Sequence, residues 1–271
     1  MEISAVSWLI GASIVLISPL FLERIYIRIF NKPFFVHFPY TPEVLPKRWK
    51  IFIAQNSLFY SKLTASEKRF FDYRLKRFIK NHRFIGNNIE MSHDKKVLIA
   101  TIPVMLTFGM RGYLYDSVDS IIVNPDEYFS NITEKYHKGE HNPAARVVVL
   151  SWKDFKKGIE IIDDNRNLGV HEFTHALFFS CKINETISCQ LFARQFTNLL
   201  QTLAQPEIKD RVIKLGYFRD YAFENQYEFL SVVFECFFET PQEFKQKLPE
   251  LYDRVRLMLN LDMAKIYNRH N

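Results

Sequence analysis

The chain has 271 residues, of which 48% are hydrophobic and 24% are charged, and it carries a formal net charge of +6. This composition excludes a disordered or fibrous protein, and the length allows one large domain or two small ones. Because the basic residues are scattered along the chain rather than gathered with glycine or aromatic residues, no nucleic-acid-binding module is expected.

The N-terminal segment 3–22, ISAVSWLIGASIVLISPLFL, contains no charged residue. As a helix it would be about 30 Å long, which is the thickness of the hydrocarbon core of a bilayer. We therefore predict one transmembrane helix over residues 1–22. Two alternatives stay open: a cleaved signal peptide, disfavoured because no basic residue precedes the segment and its end is a poor cleavage site, and a buried helix of a soluble domain.

Basic residues follow this apolar segment and none precedes it: Arg24, Arg28 and Lys32 come directly after its end. The positive-inside rule thus predicts a single-pass membrane protein whose remaining chain faces the cytoplasm. The dispersed positive charge also suits an acidic membrane leaflet. Residues 23–50, rich in proline and aromatic residues, are predicted to be a juxtamembrane linker that lies along the membrane and onto the domain.

Residues 51–271 contain no repeat and no linker, so we predict one domain of the α+β class, mostly helical with a small sheet. Thr64 and Glu67 form a capping box before an amphipathic helix, TASEKRFFDYRLKRFIKNH. KKVLIATIPVMLTFGM indicates a buried helix that contains Pro103, and DSIIVNP and ARVVVLSW are typical of short strands. The polar segment 130–145 is predicted to be a long loop.

The three cysteines form no CxxC pair and lie in apolar or helical segments; they are Cys181, Cys189 and Cys236. We expect them to be buried, reduced thiols, which favours a reducing compartment.

The most informative motif is HExxH, found in the apolar, helix-like run NLGVHEFTHALFF. His171 and His175 are four residues apart, so on a helix both imidazoles lie on one face, at a separation suited to one zinc ion. Glu172 is then placed to accept a proton from a water molecule. The alternative is that all three are satisfied core residues, yet each buried group without a partner would cost about 1 to 3 kcal/mol.

A catalytic zinc site needs a third protein ligand. The metzincin histidine is absent, because Cys181 stands at its position, so we expect a carboxylate. The best-placed acids lie in NQYEFLSVVFECFFE, an apolar helix on which Glu228, Ser231 and Glu235 form one polar stripe. This pattern makes Glu228 or Glu235 the ligand and the other acid a support for a histidine. Pairing of both acids with Arg or Lys is the alternative.

A second candidate metal motif is HKGEH, in which His137, Glu140 and His141 have the inverted HxxEH order. The motif requires a helix. Gly139 lies inside the motif, Asn-Pro follows it at once, and no apolar face is present, so we expect no helix and no metal site here.

These motifs resemble the bacterial Mlc titration factor A family of zinc-dependent peptidases, which is related in fold to the catalytic domain of anthrax lethal factor. The resemblance runs from about residue 58 to residue 262. It is most specific in NLGVHEFTHAL and in YAFENQYEFLSVVFECFFETPQEFKQKLPELYDRV. It implies a zincin-type domain and a gluzincin-like zinc metallopeptidase that hydrolyses peptides or proteins, with aminopeptidase activity as one candidate.

The resemblance also implies roles for individual residues. His171 and His175 match the histidine ligands of the family, and Glu172 matches its general base. The glutamate ligand of the family corresponds to Glu228, which favours Glu228 over the other acid of the stripe. Tyr221, seven residues before it, matches a tyrosine that would donate a hydrogen bond to the oxyanion of a tetrahedral intermediate.

Two features depart from the family pattern: Phe178 stands where the family commonly has an acid, and the apolar N-terminal segment lies outside the family's soluble pattern. The leading hypothesis is therefore a membrane-anchored zinc metallopeptidase. The alternative function is a regulatory protein that binds and sequesters a protein partner, with zinc mainly holding the fold.

Overall fold

The computed structural model of the chain describes residue 8 and residues 21–37, 45–130 and 134–269. The transmembrane helix predicted for residues 1–22 lies outside these residues, apart from Trp8, Phe21 and Leu22. Within the described ranges, no helix is both long and apolar enough to cross a bilayer. The membrane span therefore stays a prediction.

The domain is mostly helical, which confirms the predicted class. Its helices are α1 (Lys47–Asn56), α2 (Leu58–Lys62), α3 (Ala65–Asn81), α4 (His93–Leu106), α5 (Trp152–Glu160), α6 (Leu168–Ile183), α7 (Ile187–Leu203), α8 (Pro206–Leu215), α9 (Gln226–Glu239), α10 (Pro241–Lys247), α11 (Pro249–Leu259) and α12 (Met263–Tyr267). A short 3₁₀ helix, Asp220–Phe223, precedes α9.

The capping box predicted at the start of α3 is present. The Thr64 side chain accepts a hydrogen bond from the backbone N–H of Glu67, and the Glu67 carboxylate accepts one from the backbone N–H of Thr64 at 2.8 Å. The helix buries Phe71, Leu75 and Phe78. Satisfying the first free N–H groups in this way fixes where the helix begins, so the apolar face is aligned with the core.

The small sheet has four strands in the order β1-β2-β6-β5, and β3 and β4 form a separate antiparallel ribbon. The central strands β2 and β6 pair in parallel and read SIIVN and VVVLS, as expected for strands buried in a sheet. β5 pairs antiparallel to β6 at the edge. The strands are β1 (Arg83–Gly86), β2 (Ser120–Asn124), β3 (Tyr128–Ser130), β4 (Lys135–His137), β5 (Gly139–Asn142) and β6 (Val147–Ser151).

The prediction of a long loop over residues 130–145 was wrong. Ser130 ends β3, and β4 and β5 both lie within the segment. The backbone of β5 pairs with β6, from Gly139 opposite Leu150 to Asn142 opposite Val147. An edge strand obtains its hydrogen bonds from its neighbour whatever its side chains are, so a polar strand carries no apolar pattern that a sequence could reveal.

The segment predicted to be a linker, residues 23–50, is partly helical: residues 21–30 form a helix, and α1 begins inside the segment. This N-terminal helix is attached to the domain through Arg111. The Arg111 guanidinium forms an ion pair with Glu23 and donates to the backbone oxygen of Phe35 at 3.0 Å.

The core surrounds two helices that are apolar nearly all round, α6 and α9. These two helices pack against each other, and α6 also packs against β5. The three cysteines are buried and free, as predicted. The motif helix thus lies between α9 on one side and the edge strand on the other.

Candidate active site

The HExxH motif lies in the first two turns of α6. The side chain of Asn167 caps the helix by accepting a hydrogen bond from the backbone N–H of Val170 at 3.0 Å. His171 and Glu172 are buried, with 8% and 6% of their surfaces exposed, and His175 lies one turn further along. The cap is local, so the start of the helix, and with it the face that carries both imidazoles, is fixed by nearby sequence.

The polar stripe of α9 faces these histidines. The Asn225 side chain caps α9 and accepts from the backbone N–H groups of Tyr227 and Glu228, at 2.9 and 3.1 Å. Glu228 therefore stands in the first turn. Ser231, one turn later, donates from its hydroxyl to the backbone oxygen of His171 at 3.2 Å, which joins the two helices directly.

Three side chains converge as a set of possible metal ligands: His171, His175 and Glu228, with ligand atoms all within 4.8 Å of one another. The two Nε2 atoms are 3.2 Å apart. Glu228 Oε2 lies 3.0 Å from His171 Nε2, and Glu228 Oε1 lies 3.5 Å from His175 Nε2. Two imidazoles and one carboxylate are a donor set typical of catalytic zinc.

The electrostatics of this cluster fit a cation. Glu228 Oε2 is buried, yet within the described part of the chain no N–H or O–H points at it with hydrogen-bond geometry. Burial would lower the pKa of His171, but the carboxylates of Glu228 and Glu235 outweigh burial and raise this pKa to about 10. Burial would raise the pKa of Glu228, but the neighbouring histidines hold it well below its ordinary value. Positive charge is therefore favoured where these atoms meet.

A second acid holds His171 from the opposite side of the ring. His171 Nδ1 lies 2.7 Å from Glu235 Oε1. Glu235 is buried and pairs with both terminal nitrogens of Arg219, whose Nη2 is 3.0 Å from Glu235 Oε1. Arg219 also donates to the backbone oxygen of Asn165 at 2.7 Å. With Nδ1 directed at a carboxylate, Nε2 of His171 is left facing the other two possible ligands.

Glu172 is placed beside the cluster and against the edge strand. A Cβ atom at Gly139 would lie 2.7 Å from both Cγ and Oε1 of Glu172, and 2.8 Å from Leu168. Only glycine therefore lets β5 approach this carboxylate so closely. Burial raises the pKa of Glu172, and His171 and His175 oppose this rise without cancelling it.

Tyr221 lies in the 3₁₀ helix that leads into α9. Its ring centroid is 5.8 Å from that of His171, and the Arg219 guanidinium carbon is 5.8 Å from the centre of the tyrosine ring. Burial, together with the charge of Glu228, raises the pKa of Tyr221, so the phenol keeps its proton. Because 41% of its surface is exposed, the side chain can meet a bound molecule.

A cleft of about 490 Å³ opens onto this group of residues. Gly139 of the edge strand lines the cleft on one side. His171, Glu172 and Tyr221, from the helical part of the domain, also line it. Of the residues singled out from the two motifs, His171, Glu172 and Glu235 line the cleft, and His175 and Glu228 contact His171. Gly139 and Arg219 were not predicted: Gly139 fell in the expected loop, and nothing in the sequence pairs Arg219 with Glu235.

Two other predictions concern this region. His137 lies on β4, and Glu140 and His141 lie on β5, so the HKGEH motif is not helical, as predicted. Phe178 packs against Phe196 and Tyr227, with ring centroids 5.3 and 4.9 Å away. Tyr227 precedes Glu228, so Phe178 packs beside the start of α9.

Comparison with known proteins gives two matches. The sequence model of the family described as glucose-regulated metallo-peptidase M90 matches residues 40–259, which is most of the chain. An uncharacterized protein of Synechocystis sp. (strain ATCC 27184 / PCC 6803 / Kazusa) is 24% identical, over 78% of this chain and 83% of that protein. The family match confirms the resemblance stated from the motifs.

Proposed function

We propose a function from one established premise: the chain belongs to the glucose-regulated metallo-peptidase M90 family. Membership makes it a metallopeptidase that uses a metal ion and acts on peptides or proteins. We propose that the metal is zinc, held by His171, His175 and Glu228. The observation that carries this proposal is the convergence of two imidazoles and one carboxylate, whose ligand atoms all lie within 4.8 Å of one another.

When bound, zinc would lower the pKa of a water molecule and polarise the substrate carbonyl. Glu172 would accept the proton of the attacking water and pass it to the leaving amine. Its raised pKa suits this exchange, because a general base works best when its pKa lies closer to neutral pH. Tyr221, kept protonated, would donate a hydrogen bond to the oxygen that becomes negative during attack.

Replacing Glu172 by Gln tests the peptidase against the regulatory alternative. Glu172→Gln keeps the shape of the side chain but cannot accept the proton, so peptide hydrolysis should fall about a thousandfold or more. The zinc content should stay at the wild-type level, measured by elemental analysis on the same sample. Unchanged hydrolysis would refute the role of Glu172. A biological effect that survives the substitution would instead favour partner binding, with zinc mainly structural.

Replacing Tyr221 by Phe tests the hydrogen bond to the oxyanion. Tyr221→Phe keeps the ring beside His171 but removes the donor, so kcat should fall about 100-fold with little change in KM or zinc content. Tyr227→Phe is the control, since it removes a phenol from the neighbouring aromatic cluster. Wild-type kcat in Tyr221→Phe would mean that Tyr221 acts through packing alone, and an equal loss in both variants would mean that the loss is not specific to the oxyanion.

We also propose that the protein is anchored in a membrane by residues 1–22, with the domain facing the cytoplasm. The support is the uncharged segment and the arginines that follow it. A reporter fused to the C-terminus, active only in the cytoplasm, should be active in intact cells. A reporter that works only outside the cytoplasm would indicate that the N-terminus is an export signal.

A further inference from the structure

The N-terminal helix, residues 21–30, presents an apolar face to the outside of the molecule. Phe21, Leu22, Ile25 and Ile29 lie along one side of it, and between 42% and 64% of each residue is exposed. The opposite side, with Glu23, faces the domain. A surface helix of a soluble protein normally places polar residues on its outward face. We therefore expect this apolar face to be in contact with another molecule or with a membrane.

Positive charge borders this apolar face. Arg24 and Arg28 are exposed and stand one turn apart on the same helix. Arg194, from α7 of the domain, lies across a groove of about 700 Å³ that all three arginines line. Arg194 donates to the side-chain oxygen of Asn31 at 2.6 Å, and within the described ranges none of the three arginines has an ion pair with an acid.

The acids of the groove do not neutralise these arginines. Glu23 is already paired with Arg111, and Glu185 is the other acid that lines the groove. Among the residues that line the groove, three arginines are therefore balanced by a single acid, Glu185. The groove is positively charged and lies next to exposed isoleucine and phenylalanine side chains. It is therefore complementary to a surface in which negatively charged groups lie over an apolar layer.

We propose that residues 21–34, together with Arg194, form an interfacial binding site for acidic phospholipids. The outward apolar face enters the boundary between headgroups and acyl chains, and Arg24, Arg28 and Arg194 bind lipid phosphates. The occupant is identified by its chemistry and by continuity along the chain, since the uncharged segment 3–22 leads directly into this helix. A second copy of the chain fits less well, because it would bring the same arginines.

Arg194 gives the sharpest test, because it belongs to the domain and a membrane span alone would not need it. Full-length protein is assembled into nanodiscs of phosphatidylcholine mixed with phosphatidylglycerol, and the lipids that remain bound after extraction are counted by mass spectrometry. Wild type should retain mainly phosphatidylglycerol. Arg194→Glu should lower this preference about fivefold, the change expected for one cation near the surface. Arg194→Lys should keep most of it.

The matched control is Lys209→Glu, which reverses an exposed cation on α8, outside the groove. Its lipid preference should equal that of wild type. An equal loss in Arg194→Glu and Lys209→Glu would overturn the site, since general charge would then explain the preference. No preference in wild type, or no association with nanodiscs, would overturn it as well.

A fluorescent probe at Ile29→Cys tests the apolar face, and the three native cysteines are buried. Lipids with a spin label at the headgroup should quench this probe. They should leave unquenched the same probe at Ile162→Cys, where 55% of the wild-type residue is exposed, against 64% at Ile29. Quenching that depends on protein concentration and not on labelled lipid would show that a second copy covers this face, and would overturn the proposal.

Discussion

The cleft has two walls that are built in different ways. One wall is the helix pair α6 and α9, which supplies all three possible metal ligands. The other is the edge of the sheet, where β5 brings Gly139 against the carboxylate of Glu172. The helix wall provides chemical groups, whereas the strand wall provides close backbone approach.

The difference lies in how each wall is fixed. The helix wall is held by local features, the caps at Asn167 and Asn225, and by polar contacts between the helices, such as Ser231 to the backbone of His171. The strand wall is held by pairing with β6. Loss of a ligand, or of the group that orients it, in the first wall should therefore change metal binding, and damage to the second wall should change catalysis while the metal stays.

The largest expected effect concerns the two acids of the helix wall. Glu228→Gln should abolish stoichiometric zinc binding, because it removes a ligand. Glu235→Gln should weaken zinc binding only about 10- to 100-fold, because it removes the carboxylate that orients His171. Zinc affinity measured by competition with a chelator separates the two. Complete loss of zinc in Glu235→Gln, with zinc retained in Glu228→Gln, would mean that Glu235 is the ligand and Glu228 the supporting acid.

A smaller effect is expected from the strand wall. Gly139→Ala places a methyl group 2.7 Å from Cγ and Oε1 of Glu172, so the carboxylate must move. Displacing a catalytic group by about 1 Å can cost about 100-fold in rate, and we expect kcat to fall about 10- to 100-fold with zinc content unchanged.

Gly112→Ala is the control for this substitution, because a Cβ there meets only Thr186 Oγ1, at an ordinary 3.5 Å. It should have wild-type kcat. If Gly139→Ala also lost zinc, the two walls would not be separable in the way that their construction indicates.

The same contrast explains what the sequence could predict. The helix wall could be predicted because its signals are periodic and local: HExxH on one face of α6, and Glu228, Ser231 and Glu235 on one face of α9. The choice of Glu228 as the ligand came from family resemblance, since spacing alone left two acids. The polar strand β5 could not be predicted, because its hydrogen bonds come from β6 and depend on tertiary structure.

Arg219 was missed for a related reason. An arginine in a polar stretch gives no sign of its partner, and its pairing with Glu235 exists only once the segment before α9 folds back over that helix. The sequence analysis did consider pairing of the stripe acids with Arg or Lys, as an alternative to metal binding. The structure combines the two ideas: Glu235 contacts both the arginine and His171, while Glu228 remains with the histidines.

The smallest predicted effect concerns the joint between the two helices. Glu239, the last residue of α9, accepts hydrogen bonds from the backbone N–H of Arg166 at 3.2 Å and from the side chain of Asn167, the cap of α6, at 3.1 Å. Burial, with Asp164 nearby, raises the pKa of Glu239 to about 8 from an ordinary 4.5. The folded protein therefore binds this proton more tightly than the unfolded chain does.

Such a group stabilises the fold fully below its unfolded pKa, and this stabilisation is lost as the pH rises through its folded pKa. The free energy of unfolding of the wild type should therefore fall between about pH 4.5 and about pH 8. Glu239→Gln cannot ionise, so its free energy of unfolding, measured in urea, should fall less across this window, by about 1 to 5 kcal/mol, the upper value being the full shift without solvent screening. Glu243→Gln, at an exposed position on α10, should keep the wild-type slope. A Glu239→Gln slope equal to that of wild type would mean that the joint between α6 and α9 does not depend on this proton.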